Sequence, residues 1–179
     1  MDYSTKMLNV KYRAIASDLA YKYWLSKCRG DAIPSREDIS PAEMVSFLPN
    51  ILLLDVQKEP LDFRFRLIGT RIVPLLNRDY TGELMSTIEN LKSPNSVWKN
   101  CCKAVERAEP VYAFTPYVGP KKDILDVEDL ILPLASDGKN VNMLMIILAT
   151  VKKQPGQQDS GQQGDKSENK AESAKNWAS

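Results

Sequence analysis

Three carboxylates crowd one short stretch, Asp126, Glu128 and Asp129, and paired carboxylates can divide the roles of general acid and general base. Nothing near them in sequence supplies a nucleophile or a second catalytic group, so no reaction is assigned to them. A second group, Arg66, Arg71, Arg78 and Asp79, has the charge to gather an anion. The preferred reading is that Arg78 and Asp79 fix a turn, since exposed charge pairs are common and individually weak. The chain has three cysteines, two of them adjacent (Cys101 and Cys102), and a bridge between neighbours would be strained. Reduced thiols fit better, and Lys103 is the one basic neighbour able to activate Cys101, too little for a redox sensor. Histidine is absent. That removes the commonest general base, the commonest metal ligand and the usual haem ligand, and it argues against a metalloenzyme.

The elements that must position these groups are bounded by composition. A chain of 179 residues, 43% hydrophobic, can form one domain with extensions and bury its own core. With 24 basic and 23 acidic residues the formal charge is +1, so no whole-chain field draws it to nucleic acid or membrane. The N-terminus lacks an unbroken apolar signal region, and the longest apolar run, Met143 to Ala149, is too short to span a bilayer. A cytoplasmic protein is expected.

Along the chain, Ile15, Leu19, Tyr23, Trp24 and Cys28 recur as one helical face. Ser40-Pro41-Ala42-Glu43 reads as a capping box opening a short helix to about Leu48, stopped by Pro49. Asn50 to Gln57 is an apolar strand. Asp62 to Ile68 is its hairpin partner, with Phe63, Phe65 and Leu67 alternating against Arg64 and Arg66. Gly69-Thr70 ends that alternation, Pro74 breaks the helical connection that follows, and Asp79 to Gly82 closes it as a turn. Ser93-Pro94 opens a stronger helix with Val97, Trp98, Cys101, Val105 and Ala108 on one face, ended by Pro110. Three strands follow, Val111 to Val118, Ile124 to Leu134 and Val141 to Val151, the last expected to be central or well covered. Ser136-Asp137-Gly138-Lys139 is the hairpin loop between the last two. From Lys153 the chain turns rich in Gln, Ser, Gly, Lys and Glu, too polar to offset its ordering entropy, so 153–179 is expected to be a disordered tail. Removing Pro155 to Ser179 should leave the fold intact.

Two strands, short helices, a longer helix and a three-strand meander is the element order of the PAS fold. Tyr23-Trp24, Pro34-x-Arg36, Asp38-Ile39-x-Pro41 and Leu48-Pro49-Asn50-Ile51 resemble one family of stand-alone bacterial PAS proteins. Phe63 to Thr70, Arg78-Asp79-Tyr80-Thr81-Gly82 and Leu132-Pro133-Leu134 continue the resemblance, which covers roughly Leu19 to Val151. Asn77 stands where such families often carry Gly, and Asn also tolerates left-handed φ.

The resemblance implies an α+β PAS fold: a five-stranded antiparallel sheet with helices on one face, over 50–152, behind an N-terminal helical extension, 1–49. It implies a non-catalytic sensory or interaction module that acts through a protein partner. Haem-binding relatives generally use a His, and flavin photoreceptor relatives carry an Asn-Cys-Arg sequence on a helix; neither is found, so no cofactor and a colourless protein are expected. In such a fold the cavity between sheet and long helix would be lined by Phe65, Leu67, Trp98, Tyr112 or Phe114, and Met145, with Arg71 as an orienting group. A small apolar or aromatic ligand would suit that lining better than a nucleotide. Leu19, Tyr23 and Trp24 would contribute to a homodimer, as flanking helices do in many PAS proteins. Three function classes remain: a ligand sensor, a protein-interaction adaptor with a filled core, and, distantly, an enzyme on a similar scaffold.

Overall fold

The structure, a computed structural model, describes residues 11–76, 78–117, 119–121 and 123–152. Asn77 and the 153–179 tail, and with them the expectations placed there, lie outside the described residues. The chain begins with helix α1 (Ile15–Lys27) and passes through short 3-10 turns at Pro41–Glu43 and Leu48–Asn50. It then forms β1 (Ile51–Lys58) and β2 (Leu61–Ile68), two more 3-10 turns, helix α2 (Ser96–Arg107), and β3 (Val111–Pro116), β4 (Ile124–Leu134) and β5 (Met143–Lys152). The strands make one antiparallel sheet in the order β2-β1-β5-β4-β3. The fold is the expected α+β arrangement, with the meander joined to the first hairpin through β5. That central place, covered above and below, is why β5 reads as a continuous apolar run rather than an alternation.

Both faces of the sheet are buried, each by a different part of the chain. On one side Leu52, Leu54, Phe65, Ile131, Leu144 and Ile146 meet α2 and the 3-10 turns between β2 and α2. On the other, Leu53, Leu130, Leu132, Met145 and Ile147 meet α1. Trp24, fully buried, is the centre of this second layer, and its indole Nε1 donates to the Pro133 carbonyl at 2.9 Å. α1 therefore turns Ser17, Ala20, Tyr21 and Trp24 inward, while Ile15 is 78% exposed. The expected stripe through Ile15, Leu19 and Tyr23 is displaced about one residue round the helix, because the sheet accepts the bulk of Trp24 and Tyr21.

Two local expectations are corrected. The capping box does not form: Pro41–Glu43 is a single 3-10 turn in which the Ser40 side chain caps nothing. Tyr23 and Lys27 on α1 intercept its parts. The Tyr23 hydroxyl donates to Glu43 at 2.8 Å and accepts from the Ser40 amide at 2.8 Å, and Lys27 pairs with Glu43 at 2.7 Å. α2 starts at Ser96, two residues beyond Pro94, because the Asn95 side chain caps it by accepting from the Val97 amide at 2.7 Å. Gly69, where β2 ends, is required by close approach: a Cβ there would stand 2.4 Å from the Pro49 carbonyl oxygen.

Candidate functional site

Between the sheet and its helical cover lies a partly enclosed cavity of about 110 Å³. Its floor is the sheet: Leu52 of β1, Phe65 of β2, Thr115 of β3, Val127 and Asp129 of β4, and Ile146 and Leu148 of β5. Its cover is Ile72, Leu75, Tyr80, Met85 and Ile88 from the 3-10 segment, with Val97 from the first turn of α2. That segment is short and irregular because Pro74 and the Asp79 turn interrupt it, so its side chains enter from several directions and leave a gap between them. In the turn, Thr81 N and Oγ1 donate to Asp79 Oδ1 at 2.8 and 2.7 Å, which confirms a structural role for Asp79. Arg78 pairs with Glu83 and lies over the Tyr80 ring, 4.5 Å from its centroid. At one end the Tyr117 hydroxyl donates to the Leu75 carbonyl at 2.8 Å, tying the segment after β3 to the cover.

The walls are mostly apolar, with polar groups from Asn90, Thr115 and Tyr117 and one carboxyl. Asp129 is 2% exposed and lines the cavity, and the Thr115 hydroxyl donates to its Oδ2. Burial pushes its carboxyl up to about 7 against the lowering effect of the Thr115 bond, with Glu128 adding to the rise. Its neighbour Glu128 faces the other way. There it is fully buried and accepts from the backbone amides of Arg13 and Ala14, at 3.1 to 3.3 Å, where α1 begins. The two carboxylates cannot act as a pair, since alternation along β4 puts the sheet between them. Cys101 is fully buried on α2, and burial raises its thiol well above the usual range, which removes the thiolate that redox sensing needs. Among the described residues no cluster could hold a metal ion, and no helix is long and apolar enough to cross a membrane.

Of the residues expected to line the cavity, Phe65 does so. Leu67 does not, and the reason is a β-bulge. Leu54 pairs with Phe65 but Leu53 pairs with Leu67, so Arg66 is the extra residue, the parity flips, and Leu67 is 40% exposed on the other face. Tyr112, Phe114 and Met145 also fall on the α1 face, paired opposite Leu130, Glu128 and Leu132. Tyr112 stacks edge-on between Tyr12 and Phe114, and Arg13 lies over the Phe114 ring. Trp98 is half-buried and packs edge-on against Phe63, their ring centroids 5.1 Å apart, away from the cavity. Arg71 is exposed and donates to the Asn50 side chain at 3.3 Å. Of the three residues expected at a dimer interface, Trp24 is inside the protomer, Leu19 is 38% exposed and Tyr23 is half-buried against Phe47. The sequence reading missed Thr115 and Ile146, and it singled out Asp129 among the carboxylates without placing it in the cavity. The Asp137-Gly138 hairpin was the available signal, since the register it sets, Leu134 opposite Met143, puts Ile146 opposite Ile131 and so with Asp129.

A family model described as a PAS domain matches residues 13–149. No curated protein matches the chain. Solved structures of similar shape include a sensory box sensor histidine kinase from Vibrio cholerae, at 12% identity and a TM-score of 0.46, with 63% of this chain and 90% of that one aligned. Another is a light-oxygen-voltage domain studied with a flavin analogue, at 15% identity and a TM-score of 0.43, covering 58% of this chain and 78% of that one. The family match spans most of the chain, and the chain belongs to the PAS domain family.

Proposed function

We propose that this PAS protein is a non-catalytic sensor that takes a small, mostly apolar molecule into the space between sheet and helices and reports its presence to a protein partner. The observation that carries this reading is the cavity itself. Protein interiors are otherwise close-packed, and an apolar space of about 110 Å³ is of the order that accommodates one small ring. Its cover is built from short 3-10 turns, elements of low intrinsic stability that an occupant could rearrange. We also propose self-association through the exposed part of α1, where Ile15 and Leu19 stand out of the protomer.

Thermal unfolding in the presence of toluene or another single-ring hydrocarbon tests the reading. A molecule that binds only the folded state raises the melting temperature in proportion to its occupancy. Wild type should shift, and Val127→Phe, which places a ring in the cavity, should not. Equal shifts in both proteins, or none in wild type, would overturn the sensor and leave the adaptor.

A further inference from the structure

We infer that the cavity selects a small apolar molecule bearing a single amine, the hydrocarbon part against Leu52, Phe65 and Ile146 and the ammonium group against Asp129. This rests on the reading of the cavity as a ligand site and names the chemistry of its occupant.

Three observations converge on it. A carboxyl that is 2% exposed in an apolar wall is costly to bury without partners. It has roughly four acceptor positions, of which the Thr115 hydroxyl fills one. Around it, α2 contributes Cys101, β3 contributes Thr115, and Glu128 beside it on β4 points through the sheet to α1. No lysine or arginine is among the described residues that line the cavity, so an anionic head group would meet Asp129 with none of them to neutralise it. An ammonium group instead supplies the opposite charge and up to three donors to the unfilled acceptor positions. An alcohol of the same shape satisfies the hydrogen bond without the charge. The cavity thus ranks amine over alcohol over carboxylate.

Benzylamine, benzyl alcohol and benzoate share one ring and differ in the head group, so calorimetric titration of the full chain with the three at pH 8 reads the ranking directly. Benzylamine should bind at least tenfold tighter than benzoate, with benzyl alcohol between. In Asp129→Asn the amine should lose its advantage and bind within about twofold of the alcohol, whose own affinity stays near the wild-type value. In wild type, benzylamine affinity should fall severalfold from pH 8 to pH 6, as the carboxyl takes up a proton and the attraction is lost. If the alcohol binds but the amine is not preferred, or benzoate binds equally well, the amine assignment fails while the cavity remains a ligand site. If none of the three binds, both readings fail. Should Asp129→Asn not fold, the wild-type pH series decides, and an amine affinity that is flat between pH 6 and pH 8 overturns the assignment.

Discussion

The two faces of the sheet use adjacent carboxylates in opposite ways. Glu128, on the α1 face, sits in a filled layer and has its oxygens occupied by backbone amides. Asp129, one residue on, sits in a layer with a gap and, among the described residues, accepts from one hydroxyl. One face is built to hold an element in place and the other to leave something out. The difference teaches that burial alone does not mark a functional group, since both side chains are equally hidden; what differs is whether the acceptors are used.

Substitutions on either face can break or sharpen this contrast. The largest effect is expected from Trp24→Ala, which empties the centre of the filled layer and removes the bond to Pro133. Such truncations cost about 3–5 kcal/mol, and denaturant unfolding should show a loss of that size. Loss below about 1 kcal/mol would mean that α1 is not part of the core. Next, Glu128→Ala leaves the Arg13 and Ala14 amides without their acceptor and should cost roughly 2–3 kcal/mol, with hydrogen exchange accelerated first in α1. If exchange speeds up equally everywhere, the clamp is not local.

Asp129→Asn should do the reverse at neutral to alkaline pH. Burial pushes the folded carboxyl up to about 7, well above the ordinary carboxylate range, so the folded state keeps a proton that the unfolded chain releases. Stability from this group is therefore lost as pH rises from about 4 to about 7, and the deficit is complete above that. The Asn variant escapes it. Its melting temperature should exceed that of wild type at pH 8, by at most roughly 4 kcal/mol in stability, and match it near pH 4. A difference independent of pH would remove the titration argument. The smallest effect on the fold belongs to Leu19→Asp on the exposed side of α1, expected within about 0.5 kcal/mol. Sedimentation should nonetheless show a larger monomer fraction, and a wild type that is monomeric at high micromolar concentration ends the self-association proposal.

The elements were legible in the sequence because they rest on periodicity, turn residues and proline, which act locally. The family followed from the resemblance of motifs such as Leu48-Pro49-Asn50-Ile51 and Arg78-Asp79-Tyr80-Thr81-Gly82, while the strand order did not come from the sequence. The lining was less legible, because it depends on parity and on which helix covers which face. A single extra residue at Arg66 turned Leu67 outward, and nothing in Phe-Arg-Phe-Arg-Leu announces a bulge. Tyr112, Phe114 and Met145 are as apolar as any pocket wall, yet they belong to the layer under α1. Asp129 was visible as one of three clustered carboxylates, but its meaning lies in the register that sets it apart from Glu128.

The dependence of the second layer on α1 also has a bearing on excision. A fragment beginning at Ile51 would keep all five strands and the cavity side, yet it would expose Leu53, Leu130, Leu132, Met145 and Ile147 as one contiguous water-facing sheet surface. An uncovered apolar expanse of that kind drives association, so such a fragment should be recovered mainly as aggregate. The apolar face of the core sheet is in this sense covered from outside the sheet, by a helix that a cut at Ile51 would remove.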